Sequence, residues 1–81
     1  MKIRIKTFAS IKEACNFEEK EITASDNSSV NDIIEQLSKD YECFIDTKNT
    51  LLYAINENYC SLETVLNDDD VLAIFPPVSG G

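Results

Sequence analysis

Histidine and tryptophan are absent from the 81 residues, and glycine occurs only twice, at Gly80 and Gly81. The missing histidine removes the commonest general base, every Ser-His or Cys-His dyad and most zinc sites. Cysteine is scarce. Cys15, Cys43 and Cys60 are odd in number and far apart, without a Cys-x-x-Cys pair. That pattern predicts structural thiols, neither a disulfide framework nor a metal centre. No run approaches the roughly 20 apolar residues of a membrane helix, and the opening Lys2–Lys6 alternates charged and apolar residues, unlike a leader peptide. Basic residues are few: seven Lys and Arg stand against 15 Asp and Glu, for a formal charge of −8, and none follows Lys48. Such a field argues against nucleic acid; it serves solubility in the first place and also suits a protein partner with a positive surface. These absences predict a cytoplasmic protein with no membrane segment, no bound metal or cofactor, and no active site of its own.

The residues that are present predict one α+β domain. Ile3, Ile5 and Thr7 alternate with Lys2, Arg4, Lys6 and Phe8, the period of a half-buried strand. Residues 8–15 fit a short helix, and Glu18–Thr23 a polar edge strand returning antiparallel. Ser29 and Asp32 form a capping-box pattern ahead of Val30, Ile33, Ile34, Leu37 and Tyr41, one apolar helical stripe. Residues 42–50 read as a loop with Phe44 and Ile45 turned inward. Strands follow at Leu51–Asn56, briefly at Tyr59–Cys60, and at Val71–Phe75, where Pro76-Pro77 stops the ladder. The order predicts a mixed sheet of four to five strands packed on one main helix.

The end of the chain carries the chemistry. Two consecutive terminal glycines arise by chance in about one chain in two hundred, and here they are the only glycines. Without Cβ atoms they make a thin strand that threads a narrow channel, while Pro76-Pro77 stiffens its base. A terminal carboxylate delivered this way is suited to activation as an acyl adenylate. Residues 1–75 are therefore expected to form the domain and 76–81 a flexible Gly-Gly tail. Strand parity adds a surface: Val71, Ala73 and Phe75 share the side opposite Leu72 and Ile74. If the first and last strands are neighbours, Phe8 and Phe75 stand together on the uncovered face, with Tyr59 beside them.

Phe75-Pro76-Pro77-Val78-Ser79-Gly80-Gly81, preceded by Leu66-x-Asp68-x-Asp70 and Ala54-x-Asn56, resembles the end of the small subunits of molybdopterin synthase. Phe8-Ala9 and Ser29-Val30 extend the resemblance over the whole chain. One departure is Asp69, which stands where that family usually has glycine. The resemblance implies a ubiquitin-like β-grasp fold and a sulfur carrier of molybdenum cofactor biosynthesis. It implies that an adenylating, ubiquitin-activating-like enzyme uses ATP to activate Gly81, which becomes a thiocarboxylate. The large synthase subunit, in a heterotetramer, then receives the tail and supplies the catalytic side chains, and the sulfur passes to cyclic pyranopterin monophosphate. Gly80 and Gly81 would carry the chemistry, and Phe8, Tyr59, Phe75, Pro76, Pro77, Val78 and Ser79 the partner contacts. A thiamine-pathway sulfur carrier, a ubiquitin-like protein modifier and an interaction module with an inert tail remain alternatives.

Overall fold

A computed structural model describes residues 1–44 and 47–77. Five strands, β1 (Lys2–Thr7), β2 (Glu19–Thr23), β3 (Leu52–Ile55), β4 (Asn58–Cys60) and β5 (Val71–Phe75), form one sheet in the order β2-β1-β5-β3-β4. The central pair β1–β5 is parallel and every other pair antiparallel. Two helices, α1 (Ala9–Cys15) and α2 (Val30–Ser38), and a 3-10 turn at Glu42–Phe44 complete the fold. This is the β-grasp arrangement, with the two chain-terminal strands side by side in the middle.

The alternation of β1 sends Ile3, Ile5 and Thr7 into the core, where Leu72 and Ile74 of β5 meet them. Helix α2 covers that side of the sheet with Val30, Ile33, Ile34 and Leu37, all buried. Each contributes roughly 2 kcal/mol of apolar burial. The capping box is complete: Asp32 N–H donates to Ser29 Oγ, and Ser29 N–H donates to Asp32 Oδ2. Two further exposed amides of the first turn, Val30 and Asn31, donate to the carbonyls of Thr64 and Leu62. The segment between β4 and β5 therefore caps the helix from outside, satisfying donors that a helix start always leaves over.

Two expectations are corrected. The stripe does not stay helical to Tyr41: α2 ends at Ser38, and Tyr41 packs beyond it against Phe17, ring centroids 5.0 Å apart. The 3.6-residue spacing continued by coincidence through a segment that tertiary packing bends. The cysteines are not all free. Cys15, at the end of α1, and Cys43, in the 3-10 turn, are joined in a disulfide with Cα atoms 5.9 Å apart across 28 residues of sequence, leaving Cys60 as the free thiol. Spacing along the chain carried no sign of this, because the core folds these two segments onto each other. Phe44 turns inward as expected; Ile45 lies outside the described residues.

The scarcity of glycine has a structural counterpart. Six described residues adopt positive φ without being glycine: Ala9, Asn16, Asn27, Asn56, Glu57 and Asp69. Three are asparagine, the residue best suited after glycine to that region. Asn56 and Glu57 make the two-residue hairpin between β3 and β4, whose primed turn demands positive φ at both positions.

Candidate functional site

The site grows from β5. At its start the turn 67–70 is tied to both neighbouring strands. Asp70 is only 9% exposed, and its carboxylate accepts from Asn56 Nδ2 at 2.8 Å and from Asn67 N–H at 2.7 Å. Asn56 Oδ1 in turn accepts from Val71 N–H at 3.0 Å. Asp68 Oδ1 accepts from Lys2 N–H, and Asp69 N–H donates to Lys2 O. The Leu66-x-Asp68-x-Asp70 and Ala54-x-Asn56 patterns are thus two halves of one hydrogen-bond network. It anchors the strand that leads to the tail.

At its other end β5 emerges beside β1 on the face that no helix covers. The Phe8 and Phe75 rings stack with centroids 4.7 Å apart and 12° between planes. Tyr59 tilts toward Phe75 at 6.5 Å. Phe8 is 39% exposed and Tyr59 77%, so the three rings that strand parity brought together form an open aromatic cluster. Phe8 is also the residue preceding α1, and positive φ at the next residue, Ala9, turns the chain sharply there. Pro76 and Pro77 continue directly from Phe75; Val78, Ser79, Gly80 and Gly81 lie outside the described residues.

Strand register also places residues that were not singled out as contacts. Lys6 pairs with Ala73, Ala73 with Ala54, and Ala54 with Tyr59, one row across the open face. The two alanines leave an open trough of about 670 Å³ along that row, lined also by Phe8 and Phe75. The signal was present in the alternation of β5, which put Ala73 with Phe75, but a small residue names no function until its neighbours are known.

Titratable chemistry is sparse. Burial pushes the Cys60 thiol above its usual range, partly offset by a hydrogen bond with the Ile55 backbone. Tyr53 is pushed up to about 12, first by burial and then by the neighbouring Cys60. Its hydroxyl donates to Lys48 O at 2.8 Å. Both groups therefore stay protonated and unreactive at neutral pH. Among the described residues no group of three or more Cys, Asp or Glu side chains is disposed to hold a metal ion, and no helix is long and apolar enough to cross a membrane.

A mixed five-stranded sheet with its first and last strands paired in the middle and one helix across it is the ubiquitin-like β-grasp fold. Residues 5–81 match the ThiS family, and the chain belongs to it. It is similar to the molybdopterin synthase sulfur carrier subunit of Mycobacterium tuberculosis, 29% identical over all of this chain and 99% of that one. Among solved structures, subunit 1 of a molybdopterin converting factor from Pyrococcus furiosus superposes with TM-score 0.84 at 30% identity, covering 96% of this chain and 99% of that one. The complex of subunits 1 and 2 of the molybdopterin-converting factor from Helicobacter pylori matches with TM-score 0.69 at 27% identity over the whole of both chains. The small archaeal modifier protein 1 of Methanosarcina acetivorans matches with TM-score 0.79 at 28% identity, covering 99% and 96%.

Proposed function

We propose that this chain is a sulfur carrier of molybdenum cofactor biosynthesis, working with a large molybdopterin synthase subunit. The observation that carries the reading is the union of the open Phe8–Tyr59–Phe75 cluster with the Pro-Pro-Val-Ser-Gly-Gly tail that begins at its edge. The similarity to the sulfur carrier subunit and to one partner of a two-subunit complex supports it.

The working cycle follows from the chemistry of a carboxylate. A free carboxylate is a poor acyl donor, because oxide is a poor leaving group. A separate activating enzyme attaches AMP from ATP to the Gly81 carboxylate and releases pyrophosphate. A sulfur nucleophile then attacks the carbonyl carbon and AMP departs, leaving a thiocarboxylate. The cluster docks on the large subunit, and Pro76 and Pro77 aim Val78-Ser79-Gly80-Gly81 into its active site. The thiocarboxylate sulfur attacks a pyranopterin carbon, displacing an oxygen leaving group and forming a thioester; water then cleaves its acyl–sulfur bond, leaving the sulfur on the pterin and returning the Gly81 carboxylate. The chain contributes no catalytic side chain, in keeping with its lack of histidine. It binds no cofactor itself, and it acts in the cytoplasm, where ATP is supplied.

The test is mass spectrometry of the C-terminal peptide after incubation with activating enzyme, ATP and a sulfur donor, then assay with the large subunit. Exchange of oxygen for sulfur adds about 16 Da, and mapping to that peptide separates it from oxidation elsewhere. Deleting Gly81 should abolish the mass gain and the sulfur transfer while leaving the melting temperature unchanged. A second reading, conjugation to protein lysines, draws support from the likeness to the archaeal modifier. Isopeptide-linked Gly81 without a thiocarboxylate would establish it instead.

A further inference from the structure

The two-alanine trough is lined by charges of both signs, Lys6 and Glu57, with Ala54 and Ala73 between the taller side chains. Ala54 is only 5% exposed although it faces away from the helix, so the floor lies deep between taller neighbours. Phe75 and Val71, two residues either side of Ala73 on the same strand, wall the trough along its length. The Lys6 ammonium is held only loosely, 3.8 Å from Glu19 Oε1 with both side chains about half exposed. Such a pair contributes little and exchanges readily for a better partner.

We propose that the trough is a specificity pocket that takes one large apolar side chain of the large synthase subunit, with a carboxylate of the same segment seated on Lys6. The inference rests on the reading of the aromatic face as the partner-binding surface and goes beyond it, by naming what the partner must present. Three observations lead there. The lining between Phe75 and Val71 is apolar and roomy enough for a large aliphatic or aromatic side chain, and such anchors dominate interface energetics. Lys6 continues the basic row Lys2–Arg4 on the open side of β1, a local positive strip on a chain that as a whole carries −8. A carboxylate of the partner is attracted to Lys6 and repelled by Glu57, so the two charges that line the slot select where the partner's acidic residue sits. The partner surface is thus expected to be positive in general but to carry an acidic residue beside its anchor.

The experiment measures the affinity of the cognate large subunit for the parent chain and for Lys6→Glu, Lys6→Arg, Ala73→Leu and Phe75→Ala, each first checked for folding by its melting curve. Ala73→Leu fills the trough from a partly exposed position and leaves the core side untouched. Lys6→Glu and Ala73→Leu should each weaken binding by about tenfold or more, whereas Lys6→Arg should stay within about threefold of the parent. Folded Lys6→Glu and Ala73→Leu variants that bind like the parent overturn the pocket. If Phe75→Ala alone weakens binding, the pocket fails and the partner-binding reading stands. If none of the variants weakens it, both fail. A parent chain that sediments as a dimer and becomes monomeric on Ala73→Leu substitution would show a second copy as the occupant, which also overturns the proposal.

Discussion

Tyr53 and Phe75 sit in neighbouring strands on opposite faces of the sheet, and the difference in surroundings sets opposite roles. Tyr53 is buried, donates to Lys48 O, and holds its proton to about pH 12. Its folded pKa is raised above the ordinary value of 10.0. The folded state then binds more protons than the unfolded state between those limits, so stability is full below pH 10 and falls as pH rises. Alkaline titration should show tyrosinate absorbance from Tyr53 delayed toward pH 12 while the fold persists, with stability down by about 2 kcal/mol by that pH. Cys60, raised in the same direction, starts that decline slightly earlier. Phe75, half-exposed and stacked on Phe8, is expected to behave as a contact residue. Replacing it by alanine should reduce stability by about 1.5 kcal/mol, the value of an aromatic pair with partial burial. It should reduce partner binding by about 2 kcal/mol, roughly thirtyfold in Kd. Comparing the denaturation midpoint with the binding isotherm separates the two effects. Asp69 shows the same logic at a turn. Positive φ of 68° is imposed by the Lys2–Asp68–Asp70 hydrogen bonds, and aspartate tolerates it where glycine would relax.

At the scale of elements, α2 was legible because its signals were local. The Ser29–Asp32 cap and the Val30, Ile33, Ile34, Leu37 spacing lie within nine residues of each other, and burial follows the stripe. Tyr41 was misplaced because periodicity does not announce where a helix stops. The 3-10 turn and its cross-link to α1 were illegible for a different reason. A bond between Cys15 and Cys43 depends on a through-space distance that only the folded core supplies. The bond closes a loop containing β2 and α2. Constraining a loop of that length in the unfolded chain stabilises the fold by about 3 kcal/mol. Full reduction, or a Cys15→Ser/Cys43→Ser double variant, should therefore lower the melting temperature measurably in paired oxidised and reduced scans. Thiocarboxylate formation should survive under the proposed cycle, in which Gly81 and no cysteine carries the sulfur. Under reducing conditions the two side chains stand as thiols, with Cys15 packing as a small apolar group.

For the whole molecule, charge governs encounter. With −8 spread over so small a body, association with a positive partner should be steered by long-range attraction and weakened by salt. Stopped-flow association with the large subunit should slow about tenfold between roughly 0.05 and 0.5 M salt, while the dissociation rate changes little. A salt-independent association rate would mean that the acidity serves solubility alone.

The sequence by itself determined the elements and their faces. Alternation in β1 and β5, the α2 stripe, the cap, the prolines after Phe75 and the two terminal glycines each act within a few residues. Local sterics and solvent decide them before any long-range contact forms. The tail residues Val78–Gly81 belong to this class, since their reading rests on composition and position. What only the tertiary structure decided is which faces meet. β1 and β5 lie more than 60 residues apart in the chain, and their parallel pairing stacks Phe8 on Phe75. The same pairing aligns Lys6, Ala73 and Ala54 in one row, and the core brings Cys15 to Cys43. Those juxtapositions arise from burying one side of the sheet under one helix, a global optimum that no short stretch of the chain encodes.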